Sequence, residues 1–214
     1  YGTDLVEVDL SGMDLTGTIL TGADLTKSNL TDVDLSGKDL SGAILNSVDL
    51  SGKDLTGTIL TDVDLSGKDL AGTILTGADL TGANLTGVDL SGKDFTGTIL
   101  TNTVLYNSNL IDTNFTNANL KNTDLTNAVL TNAILTGADL SGKDLSSTIL
   151  TNTDLSGANL SHSTLYKLDL SNTILTGADF SQATLTGAIL TGANLEDAIL
   201  INTILNCVGH PICV

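Results

Sequence analysis

The chain has 214 residues, 41% of them hydrophobic and only 3% aromatic, with 25 Asp and Glu against 8 Lys and no Arg, giving a formal net charge of −17. A transmembrane helix is excluded, since no apolar run reaches the roughly 18 residues one needs. No basic stripe exists to grip nucleic-acid phosphates, and the evenly spread apolar content argues against an acidic disordered tail.

Only Tyr1 and Gly2 precede the first unit, Thr3-Asp4-Leu5. From Leu5 to Leu205 every fifth residue is then Leu or Phe, 41 positions in succession, with Phe at Phe95, Phe115 and Phe180. Asp or Asn precedes the Leu in 26 units and Ile in 11, while Ser or Thr follows it in 31. Gly comes next in 20 units, with Asn as its main substitute, and the fifth position is usually Ala, Thr, Val or Ser.

A period of five fits no single element. On a helix the leucines would wind around the axis, and on a strand Leu5 and Leu10 would face opposite ways. The chain must therefore turn once per unit. Gly or Asn two residues after each Leu supplies the positive φ that the third residue of a type II turn requires. Four sides and four corners close a coil of 20 residues, so residue i lies over i+20 at about 4.8 Å. The expectation is an all-β, four-sided solenoid of about ten coils, roughly 50 Å long. Leu and the small residue two before it point inward, and Asp/Asn, Ser/Thr and Gly point outward. Residues 1–206 form one domain in this reading and 207–214 a C-terminal cap or tail.

Ala23-Asp24-Leu25-Thr26, Ala83-Asn84-Leu85-Thr86 and Ala193-Asn194-Leu195 resemble the A-(D/N)-L-x-x unit of pentapeptide-repeat proteins. The resemblance covers residues 3–207. It implies a right-handed quadrilateral β-helix and little about activity, because fold does not carry function. One branch of that family comprises fluoroquinolone-resistance proteins that mimic DNA and bind gyrase. Those are acidic rods with a C-terminal dimerisation module, some with loops that interrupt the repeat. This chain shares the acidity but has no interrupting loop and no obvious dimerisation helix.

Along the chain, five Ser-Gly-Lys-Asp units put Lys38, Lys53, Lys68, Lys93 and Lys143 at the inward small-residue position, and Met13 shares that slot. An unpaired ammonium in an apolar tube is costly. The stem is expected to pack on the coil while the amine reaches water; the alternative is a covalent or salt-bridged lock to Asp. Their spacing of 15, 15, 25 and 50 residues rotates them among the sides and forms no cationic stripe. The Asp/Asn rows, such as Asp9, Asn29, Asp49 and Asp69, read as a solvated polar ladder in which Asn relieves repulsion. A weaker reading is Ca²⁺ binding by these carboxylates, although no calcium-loop motif is present.

Tyr1, Tyr106 and Tyr166 are isolated, so no stacking platform for bases is expected. Ser161-His162-Ser163 reads as a substituted exposed turn. No catalytic residue, cofactor motif or pocket-forming insertion is found, and the chain is expected not to be an enzyme. Toward the C-terminus, Ile174, Ile189, Ile199, Ile201 and Ile204 gather at outward positions and suggest a contact surface. In the tail, Cys207 and Cys213 are expected to form a disulfide, which suggests an oxidising compartment. Zn²⁺ held by Cys207, His210 and Cys213, or free thiols, are the alternatives.

The expected function is a non-enzymatic structural or interaction rod, exported, that associates with itself end to end into filaments or side to side, or with another protein. An uncovered first coil would present unpaired backbone to a partner. The alternatives are a cytoplasmic DNA mimic that engages a DNA-binding enzyme such as gyrase, and a cation-binding surface protein.

Overall fold

The computed structural model describes residues 2–213. Tyr1, one of the expected isolated aromatics, and Val214, the last residue of the expected tail, lie outside them.

Each pentad forms a short extended side ending at Leu or Phe, followed by a two-residue corner. The corner is hydrogen-bonded: the Ala23 N–H donates to the Leu20 carbonyl at 3.0 Å and the Ala83 N–H to that of Leu80 at 2.9 Å. The second corner residue has positive φ in every unit from Glu7 to Asn202 except at Ser147. This conformation costs most L-residues roughly 1 kcal/mol, and Gly, Asn and Asp tolerate it best. That cost explains the Gly-or-Asn rule of the repeat.

Successive coils pair in parallel with a step of 20 residues, as in Asp4–Asp24, Asp24–Ile44 and Thr184–Ile204. Three backbone bonds per pentad carry the pairing. Within one closed unit, the Asp79 N–H donates to Thr58 O at 2.9 Å, the Leu60 N–H to Asp79 O at 2.7 Å and the Asp62 N–H to Thr81 O at 2.9 Å.

The leucines from Leu10 to Leu190 line a continuous buried core, each contributing about 1.5–3 kcal/mol gross. Leu5, Leu195, Leu200 and Leu205, near the two ends, are only partly buried. Phe95 and Phe115 stack one above the other, centroids 5.1 Å apart. The second inward position is filled by Ala, Val, Thr or Ser, whose hydroxyls donate to core carbonyls: Thr58 to Leu35 O at 2.8 Å, Thr113 to Leu110 O at 2.7 Å.

The coupling of Asp to Ser/Thr across each Leu has a local cause. The N–H of the first corner residue takes no part in the ladder, and the preceding Asp or Asn accepts from it. Asp39 Oδ1 accepts from the Ser41 N–H at 2.9 Å and from the Ser41 hydroxyl at 2.5 Å. Units with Asp or Asn before the Leu are thus closed by an Asx turn. The hydroxyl first, and then the backbone N–H, hold the Asp39, Asp54 and Asp144 carboxyls below their usual range.

The repeat loses one residue after Leu205. The Cys207 N–H turns back to Leu205 O, and Val208 pairs with Ile189, a step of 19. Cys207 is thereby moved into the inward position above Ala188 and is buried.

Candidate functional site

The five lysines stand half-buried at their corners. In three of them the ammonium is caught by backbone carbonyls of the coil beneath. Lys93 Nζ donates to Thr73 O at 3.0 Å and Lys143 Nζ to Thr123 O at 2.8 Å. Lys68 Nζ donates to Leu45 O and, at 3.2 Å, to Val48 O. Burial pushes these three amines below the ordinary lysine value, partly opposed by Asp64 and Asp49 at Lys68 and by Asp139 and Asp124 at Lys143. This is neither free exposure of the amine nor a lock to Asp. Among the described residues the one ion pair is Lys27–Glu7, at 2.8 Å on the surface. Shallow grooves open beside the lysines, of about 510 Å³ at Lys68, 380 Å³ at Lys143 and 350 Å³ at Lys53.

The isoleucines form a girdle more than a patch. Ile199, Ile204 and Ile189 occupy three consecutive sides of the last coils, and Ile201 fills a corner between the first two. Ile174 stands apart on the fourth side, where it pairs with Asn194. Val208 joins the girdle beside Ile189, a position that only the dropped residue before it creates. Within the girdle exposure is greatest at Ile201 (63%), Ile204 (54%) and Val208 (53%).

The tail folds back over this end. Ile212 and Cys213 pack partly buried against the core, and the Cys213 N–H donates to His210 O at 3.0 Å. The Cys207 and Cys213 sulfurs are bonded at 2.05 Å, with Cα atoms 4.9 Å apart. Among the described residues, no three His, Cys, Asp or Glu side chains converge as a metal site would.

In the outer rows, Asn stacked on Asp donates to it: Asn29 to Asp9 at 2.9 Å, Asn84 to Asp64 at 3.1 Å and Asn109 to Asp89 at 2.9 Å. His162 lies at a corner with φ of 59°. Tyr106 and Tyr166 are exposed at corners, the latter with the Lys167 amine 5.0 Å from its ring centroid. No helix among the described residues is long and apolar enough to cross a membrane.

A family model described as pentapeptide repeats matches the chain in eight copies, the first at residues 1–32 and the last at 178–208. No curated protein matches it. Among solved structures, it is similar to HetL, a pentapeptide repeat protein involved in heterocyst differentiation regulation in the cyanobacterium Nostoc, at 30% identity over 98% of this chain and 91% of that one, with a TM-score of 0.34. A pentapeptide repeat protein of the Arabidopsis thaliana thylakoid lumen is 35% identical over 52% of this chain and 70% of its own, at a TM-score of 0.32. Full-length QnrB1, a plasmid-mediated fluoroquinolone resistance protein, is 19% identical over 94% and 91%, at a TM-score of 0.36. The repeat match, spanning residues 1–208, is what shows the family.

Proposed function

Because the chain belongs to the pentapeptide-repeat family, we propose that it is a non-enzymatic interaction rod that binds a second copy of itself through the apolar girdle of its last coils. The exposure of Ile201, Ile204 and Val208 on adjoining sides and corners of one end carries this reading. Along the rest of the rod Ile lies beside Asp in its row, as Ile59 does between Asp39 and Asp79, and burying such a row would strand carboxylates. In the girdle Asp169 and Asp179 lie only on the inner side, beneath Ile189 and Ile199.

Charge favours the same end. The acidic residues concentrate in the first half of the chain, so apposition of two C-terminal ends keeps the most negative segments apart. Such a contact is isologous and closes on itself as a pair. The folded-back tail supports pairing over filament growth, because Ile212 and Cys213 occupy the surface onto which a further coil would stack. The Cys207–Cys213 bond adds an exported setting to the proposal, since disulfides persist in oxidising compartments.

Sedimentation equilibrium across a wide concentration range tests it. The expected result is a reversible monomer–dimer equilibrium that an Ile201→Asp, Ile204→Asp double variant abolishes. A monomer at every concentration, or a dimer untouched by the double variant, would remove the proposal.

A further inference from the structure

The ladder between coils is interrupted, and the interruptions follow the lysines. At Lys68 the two pairings that meet at its corner are both missing, Ile44 with Asp64 and Asp49 with Asp69. At Lys93 the missing pairings are Asp69 with Asp89 and Ile74 with Asp94. The same two sides are open beneath Lys38, Lys53 and Lys143. One further gap, Ile149 with Asp169, lies beneath Leu168, the one leucine at the small inward position. Every other pairing from Asp4 to Ile189 is formed.

The cause is visible in the acceptors. On a closed side, the N–H after the small residue donates to a carbonyl of the coil beneath, as Asp79 does to Thr58. At Lys93 the carbonyl in that place belongs to Thr73, and the ammonium takes it at 3.0 Å while the Asp94 N–H makes no ladder bond. Lys143 displaces Asp144 from Thr123 O, and Lys68 displaces Asp69 from Val48 O, in the same way. The corner parts as well: the Ser47 N–H does not reach Ser66 O, whereas the equivalent bond from Gly82 to Thr101 is 2.9 Å. A four-carbon stem cannot enter a tube packed with leucine. It runs down between the coils and holds them apart.

We propose that the five lysines are wedges that make the rod compliant at chosen corners, chiefly in its N-terminal half, by interrupting the ladder there; at Lys68, Lys93 and Lys143 a side-chain bond that opens locally takes the place of the lost ladder bond. Four of the wedges, Lys38, Lys53, Lys68 and Lys93, act on coil junctions that follow one another without a break. Adjacent junctions open at different corners, and only Lys53 and Lys93, two coils apart, share one, so the rod yields in several directions and does not fold at a single hinge.

Amide hydrogen exchange on the full chain tests this. The Leu45 and Leu50 amides, which have lost their acceptors on Asp64 and Asp69, exchange at least about 100-fold faster than those of Leu85 and Leu105, which keep theirs. Lys68→Ala, which installs the residue common at this position, slows Leu45 and Leu50 to the rate of the controls and leaves the gap at Lys93 unchanged. Should Lys68→Ala fold poorly, Lys93→Ala gives the same reading at Leu70 and Leu75. Equal protection of the wedged and closed corners in the unaltered chain, or gaps that persist after the substitution, would overturn the proposal.

Discussion

The rod divides into two regions built from one pentad code. Where the lower residue of a pairing lies between Asp4 and Ile74, seven of fifteen pairings form; from Asp79 onward, twenty of twenty-three do. The first region carries four of the five inward lysines and corners rich in Gly; the second carries Asn at every corner from Asn102 to Asn132 except Asp112, and the Phe95–Phe115 stack. Leucine packing is the same in both, with Leu50 and Leu110 equally buried. The difference therefore arises from one position in five. A small residue there lets backbone meet backbone, and a lysine puts a side chain in the way.

The strongest way to break this comparison is to delete the same side chain in each region. Leu110→Ala, in a part of the ladder with no gap, should cost near the upper end of the range for buried leucine, about 4–5 kcal/mol, because the surrounding coils cannot collapse into the void. Leu50→Ala, bordered by the open corner of Lys68, should cost about 2 kcal/mol, since its neighbours are free to settle. Urea denaturation of the two variants measures the gap, and equal costs would mean that the interrupted ladder has no energetic consequence.

Acid should separate the regions less sharply. Asp9, Asp14, Asp34, Asp39, Asp49 and Asp54 all have carboxyls held down by the hydroxyl and N–H they cap, and at Asp34 and Asp54 this outweighs repulsion from the Asp one coil below. A depressed carboxyl contributes stability that is complete above its unfolded value, about 3.9, and disappears as pH falls through the lower folded value. Asn109, Asn114 and Asn119 cap their turns without titrating. Below about pH 4, then, exchange should accelerate in the first region before the Asn-capped middle. Simultaneous loss in both would contradict that order.

The smallest effect concerns the outer rows. Asn109→Asp replaces a 2.9 Å bond to Asp89 by two stacked carboxylates, a loss of about 1 kcal/mol at low ionic strength. A drop in melting temperature that shrinks in about 1 M salt identifies the charge term.

The period, the corners, the 20-residue step and the division into inward and outward positions were all legible in the sequence, because each depends on residues inside one pentad. What could not be read depends on what lies 20 residues below. Lys68 was visible as an anomaly, yet its ammonium settles on Val48 O only because that carbonyl faces the intruding stem. Leu168 is apolar like the core around it, yet in the small inward position its bulk opens the pairing beneath it. The contribution of Val208 to the apolar girdle depends on the residue lost after Leu205, which no pattern of fives announces. At Ser147 the corner lacks positive φ, and its hydroxyl accepts from the Asn127 N–H at 3.3 Å in place of a carbonyl.

The stacked pair Phe95 and Phe115 bears on how the chain finds its native alignment. A sequence this self-similar can slide by one coil and still bury leucine against leucine, so misaligned states lie close in energy. Two rings 20 residues apart, 5.1 Å between centroids, meet only when the coils are threaded correctly. They act as a bookmark: one unrepeated feature by which a nearly uniform chain can tell its middle from its ends.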